Sequence, residues 1–239
     1  MELFRYFSGS NGEALQDSFV LSVLNGKESG FYLEIGSSYP QIGSNTYLLE
    51  TRYKWNGLSV DNDVLLVDEF KSHRRNEVIL GDATKLDYET ELKSRSFPSQ
   101  IDYLQLDIDP PINTLLALKQ LPLSVYRFSV ITFEHDLYAN KENLDIKKDA
   151  AQILKENGYV CVVNNLQTVP NVENCDGGWK PFEDWWIDGN LLQNYSFGTF
   201  NNVRWLDIFT ISRKLKLQVL NFSLRMKLRN IIKTRLSSI

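Results

Sequence analysis

Acidic residues recur at the ends of short apolar runs in this chain. Asp61 closes Gly57–Asp61, and Asp82 follows Glu77–Leu80 within Gly81-Asp82-Ala83. Asp107 and Asp109 end Ile101–Asp107, and Glu134-His135-Asp136 ends Phe128–Glu134. Taken singly, such an acid is a solvated strand end or a helix cap. Four in succession line one rim of a sheet, where open α/β folds bind their ligands. Carboxylates there can accept ribose hydroxyls, take a proton or hold a cation. Gly36, just after Phe31–Ile35, lets the backbone approach a ligand because it has no Cβ. The chain has two histidines. His73 stands in the polar run Lys71-Ser72-His73-Arg74-Arg75 and reads as surface. His135 stands on the rim, either orienting Glu134 or serving as base or substrate contact. Asp107, Asp109, Glu134 and His135 carry donors suited to a divalent cation such as Mg2+, although spacing alone does not make them converge. Cys161 reads as core and Cys175 as exposed; two cysteines make neither a disulfide framework nor a zinc site.

The elements that must position these groups alternate. The runs Phe31–Ile35, Gly57–Asp61, Glu77–Leu80, Ile101–Asp107, Phe128–Glu134, Tyr159–Asn164 and Arg204–Ile211 read as strands. Helical periodicity fills Ala14–Leu24, Thr46–Tyr53, Asp63–Lys71, Asn113–Leu121 and Asn143–Asn157. This spacing predicts a parallel sheet with helices on both faces. Asn113-Thr114 caps one helix and Asn157-Gly158 closes another.

Two stretches break the pattern. Residues 167–203 are rich in Asn, Gly and aromatics and read as a lid over a substrate, with Trp179, Trp185 and Trp186 stacking on it or packing the lid onto the sheet. Residues 213–239 read as a basic amphipathic helix with Leu217, Leu220, Leu224, Leu228, Ile231 and Ile232 on one stripe. After Asp207 the chain has eight cations and no acid, so the rest carries eighteen cations against thirty acids. That acidic body argues against nucleic-acid binding. The tail fits self-association, packing at home or peripheral contact with an anionic membrane. The 239 residues, 43% of them hydrophobic, suffice for one folded domain over 1–212. No apolar run reaches the roughly 20 residues of a spanning helix. With no apolar leader in the first ten residues, the expected location is cytoplasmic.

The ordered combination Gln16-Asp17, FYLEIGSS from Phe31, Ser44-Asn45-Thr46-Tyr47-Leu48-Leu49-Glu50, Trp55-Asn56-Gly57-Leu58, Gly81-Asp82-Ala83, the Ile101–Asp109 strand and Ile131-Thr132-Phe133-Glu134-His135 resembles the FkbM family of S-adenosylmethionine-dependent methyltransferases. The resemblance runs from about Gln16 to Val163. It implies a Rossmann-like class I methyltransferase fold, with a seven-stranded, mostly parallel sheet and an antiparallel last strand. It also implies that Glu34 and Gly36 border the methionine part of the cofactor, that Asp61 holds the ribose, and that Asp82 and Ala83 meet the adenine. Ser37, Asn45, Asn62 and Asp107 complete the cofactor contacts. His135, Glu134 and Asp107 would activate the acceptor, with Asp109 beside it. The implied acceptor is a hydroxyl on a glycan or small metabolite. The chain departs from the family at Asp61-Asn62, where Glu-Pro is usual, and at Asp107-Ile108-Asp109-Pro110, where Asp-Val-Glu-Gly is usual. Two other functions fit the same rim: a dinucleotide-dependent oxidoreductase, which lacks its G-x-G-x-x-G after the first strand, and a nucleotide-binding module without chemistry.

Overall fold

The computed structural model describes residues 9–12, 14–169, 178–192 and 199–214. Cys175 and the tail stripe from Leu217 onward lie outside them.

Eight strands form one sheet in the order β3-β2-β1-β4-β5-β7-β6-β8. β1 (Phe31–Ile35), β2 (Asn56–Asp61), β3 (Glu77–Leu80), β4 (Gln100–Leu106) and β5 (Arg127–Glu134) run parallel. β7 (Lys180–Asp188) enters antiparallel between β5 and β6 (Tyr159–Thr168), and β8 (Phe200–Asn201) lies along β6. The helices are α1 (Gln16–Val23), α2 (Tyr47–Tyr53), α3 (Val64–His73), α4 (Tyr88–Ser94), α5 (Pro111–Gln120) and α6 (Asn143–Glu156). Alternate strand residues feed two cores. One holds Tyr32, Tyr103, Val130 and Trp185 with Phe19 of α1, and the other holds Leu33, Leu104, Ile131 and Trp186 with Leu118 and Leu154. Both faces are thus covered, as near-continuous apolar strands require.

The structure departs from expectation at its C-terminal part. The antiparallel strand is not Arg204–Ile211; there the chain makes a short 3-10 turn and residues 208–214 are helical. β7 takes that role instead, and it comes from the stretch expected to be a lid. Trp185 and Trp186 therefore pack inside the sheet, both under 3% exposed, and do not cover an acceptor. Trp179 is half-buried, with Arg204 above its ring. α5 begins earlier than expected, with Pro110 at the N-cap and Pro111 at the first helical position, where a missing N–H costs nothing. The Thr114 hydroxyl instead ties Ile108 through both its N–H and its carbonyl, at 3.0 Å each.

Candidate functional site

The sheet order reverses between β1 and β4, and their carboxyl ends open two adjoining cavities. The larger, about 330 Å³, is lined by Gly36, Ser38, Asp61, Asn62, Asp63, Asp82, Ala83, Asp107 and Asp109 among others. The smaller, about 110 Å³, is lined by Gln16, Glu34, Ser37, Asn45, Gln105, Asp107 and Glu134 among others. Every residue expected to touch a cofactor lines one or the other. The glycine is required where it stands. Gly36 has φ +84, and a Cβ there would lie 1.7 Å from the Asp107 carbonyl oxygen. β1 and β4 are pinned at this point by the Asp107 N–H donating to Ile35 O at 3.0 Å.

Asp61 orders the loop after β1. Its carboxylate accepts the Ser38 N–H at 2.8 Å and the Asp63 N–H at 3.0 Å. Asp82 is held ionised, its pKa lowered to about 2 by Lys85 and Thr84. Glu34 is 1% exposed and accepts Thr46 Oγ1 at 2.7 Å and Ser59 Oγ at 2.6 Å. Burial raises its pKa, against the pull of Arg74.

Arg74 is one residue that sequence reasoning missed, since its run reads as a solvated surface. Its side chain is fully buried. Nε meets Glu50 at 2.9 Å, and the guanidinium also donates to Pro40 O, Ser44 Oγ, Tyr32 Oη and Thr46 Oγ1. It fastens the 38–46 loop, which carries Asn45, behind the smaller cavity. Buried-face periodicity gave no signal because Arg74 follows the last turn of α3.

Glu134 and Glu183 face each other across β5 and β7. Glu183, 1% exposed, accepts Trp185 Nε1 at 2.6 Å and Gln16 Nε2 at 3.1 Å. Burial first, then the Asp107 charge, pushes its pKa up to about 8. Burial, then the charges of Asp107, Asp136 and Glu183, raise the Glu134 pKa well above the usual carboxylate range. Glu183 escaped the sequence reading because β7 did.

His135 points the other way, as strand alternation from Glu134 demands. It is fully buried, lines neither cavity, and sets Nε2 3.4 Å from Asp184, which Lys147 Nζ meets at 2.7 Å. Burial lowers its pKa. The structure therefore brings Asp107, Asp109 and Glu134 to one rim and leaves His135 on the opposite face. Among the described residues no three acidic, His or Cys groups are placed to hold a metal ion, so the expected Mg2+ ligand set does not fit. Cys161, its pKa pushed up to about 12 by burial, is no nucleophile.

No family model and no curated protein matches the chain. Solved structures do. A candidate O-methyltransferase from Klebsiella pneumoniae aligns with TM-score 0.50 and 16% identity, over 78% of this chain and 86% of that one. The O-methyltransferase from Bacillus cereus, solved with S-adenosylhomocysteine, gives 0.49 and 17%, over 78% and 90%. The N-methyltransferase NodS from Bradyrhizobium japonicum gives 0.45 and 11%, over 78% and 96%. At these identities the likeness is one of fold: the chain has the Rossmann-like methyltransferase architecture.

Proposed function

We propose that this chain is an S-adenosylmethionine-dependent methyltransferase acting on a small-molecule or glycan acceptor, and that it belongs with the FkbM-like enzymes its motifs resemble. The observation that carries the reading is the pair of cavities meeting at Gly36. The larger has room and carboxylates for a nucleoside, with Asp61 at the ribose and Asp82 and Ala83 at the adenine. The smaller fits the methionine part, because its buried acceptor Asn45 Oδ1 lacks a partner and suits an ammonium donor. When bound, the cofactor supplies an electrophilic methyl group on a good leaving group. The protein's task is then alignment and exclusion of water. Gly36 and Asn45 set the donor's position, while Glu134 at the end of β5 faces the acceptor and exchanges a proton with it.

The dinucleotide alternative is disfavoured by the same loop. A pyrophosphate needs free amide donors after β1. Here the Gly36 and Ser37 N–H groups donate to Val60 O at 2.9 and 3.2 Å, and the Ser38 N–H is taken by Asp61. Calorimetry of the purified chain decides: S-adenosylhomocysteine binds and NAD does not. Tight NAD binding with no response to S-adenosylhomocysteine would refute the assignment. The basic segment at 213–239, read as a helix for self-association or an anionic membrane surface, is tested by solution mass and vesicle sedimentation after truncation at Arg213. Among the described residues no helix is long and apolar enough to cross a membrane.

A further inference from the structure

The smaller cavity is walled by hydrogen-bond acceptors and has no Lys, Arg or His among its lining residues. Glu34, Asp107 and Glu134 supply carboxyl groups, and Asn45 Oδ1 and Gln105 Oε1 are buried without a partner. Gln105 is only 3% exposed. An unpaired buried acceptor costs about 1–3 kcal/mol, so the chamber is shaped for groups that donate.

Strand register separates its two ends. Leu106 lies opposite both Ile35 of β1 and Phe133 of β5, so Gly36, Asp107 and Glu134 follow in one row across three strands. With strands about 4.8 Å apart, Glu134 stands roughly 10 Å from Gly36. A donor reaches its acceptor at about 2.9 Å. A row of that backbone length has room for two donor groups side by side. The Gly36 end belongs to the cofactor; the side toward β5 has Glu134, backed by Glu183 and Asp136, with Asp107 and the unpaired oxygen of Gln105 between the two.

We propose that the β5 end of this chamber, formed by Glu134, Gln105 and Asp107, binds an ammonium group carried by the methyl acceptor. The inference rests on the methyltransferase reading and narrows its acceptor to amine-bearing small molecules, such as aminosugars. The groups near Glu134 are acidic or neutral: Asp107 following β4, Asp136, which shares a side-chain hydrogen bond with it, Tyr138, Glu183 from β7 and, next to Glu183, Gln16 from α1. Burial, then these acids, raise the Glu134 pKa while the chamber holds no cation. An incoming ammonium opposes that shift and favours the ionised carboxylate, with any proton it loses going to solvent. A hydroxyl in the same place offers no charge and releases no proton. The discrimination is of the kind in which a site built for one polar group rejects the analogue lacking it.

The test is titration calorimetry of the full chain saturated with S-adenosylhomocysteine, using matched probes in two buffers of different ionisation heat. The probes are glucosamine against glucose and ethanolamine against ethylene glycol. Each amine should bind at least about tenfold more tightly than its hydroxyl partner and release up to one proton near pH 7. Glu134→Gln should abolish both the preference and the proton release, with S-adenosylhomocysteine affinity within about twofold of the parent; Gln105→Met should weaken the amine alone. Equal binding of amines and hydroxyl partners, no binding of either, or a preference that survives Glu134→Gln overturns the assignment. If S-adenosylhomocysteine itself fails to bind, the methyltransferase reading falls and takes this one with it. If it binds and the amines show no preference, only the ammonium assignment falls.

Discussion

Replacing Arg74 with Met should unfold the protein under conditions where the parent is stable. The side chain is fully buried and its guanidinium makes contacts with Glu50, Pro40 O, Ser44, Tyr32 and Thr46. Methionine fills much of the volume but leaves Glu50, whose side chain is 3% exposed, as a buried charge without its cation. Removing one partner of a buried pair costs about 3–5 kcal/mol, mostly the penalty of the orphaned charge. At about 2–4 °C per kcal/mol for a chain of this size, Tm should fall by roughly 6–20 °C. Denaturant unfolding gives the free energy directly, and calorimetry with S-adenosylhomocysteine reports whether the 38–46 loop still holds Asn45 in place. Two controls separate the causes. Arg74→Lys should rescue poorly, since an ammonium cannot reproduce the planar fork. Adding Glu50→Gln to Arg74→Met should recover part of the loss by removing the stranded charge. A loss below about 1 kcal/mol, the range of an exposed ion pair, would refute the account of Arg74 as the buried anchor of the loop.

Other outcomes are open to measurement. Asp61→Ala should weaken S-adenosylhomocysteine binding by about 1–3 kcal/mol through lost hydrogen bonds to the carboxylate; an unchanged dissociation constant in a folded variant removes the ribose assignment. Gly36→Ala should lower Tm and abolish cofactor binding, because the dihedral alone costs about 1–3 kcal/mol and the new Cβ meets the Asp107 carbonyl; retention of both properties would show that β1 and β4 can part. Glu183, ordinary pKa 4.5 and raised to about 8 in the fold, keeps its proton when the unfolded chain has lost it. Stability should therefore be greatest below pH 4.5 as far as this group is concerned, and its share should be lost as pH rises toward 8. Glu183→Gln should flatten that decline in denaturation midpoints measured from pH 5 to 8, and an unchanged slope would show that the carboxyl is ionised in the fold.

The parallel half of the sheet was legible because its strands are short, apolar and each closed by an acid. β1 to β5 start and stop within a residue or two of their expected limits. The rim that holds the two cavities was legible for the same reason, since strand ends converge whatever the details of the helices. β7 was hidden by its composition: Lys180–Asp188 carries charges at Glu183, Asp184 and Asp188 that sit buried in the fold. Three buried acids in one strand defeat any reading based on apolar runs. Trp205–Ile211 misled in the opposite sense, being apolar enough for a strand yet turned into short helical segments. His135 was placed on the wrong face because adjacency to Glu134 in sequence means opposition across a pleated strand.

The place of β7 in the sheet also bears on when the protein becomes competent. β5 and β6 are never neighbours; a slot between them waits for a strand that follows both in the chain. During synthesis the first five strands can pair as they emerge, whereas β6 has no partner until residue 188 or so has left the ribosome. The same late strand delivers Glu183 to Gln16 and to the end of β5. Incomplete chains ending before β7 would thus have the residues of the larger cavity but no Glu183 opposite Glu134. Such fragments should leave β5 as an unpaired edge strand, open to wrong partners until β7 arrives.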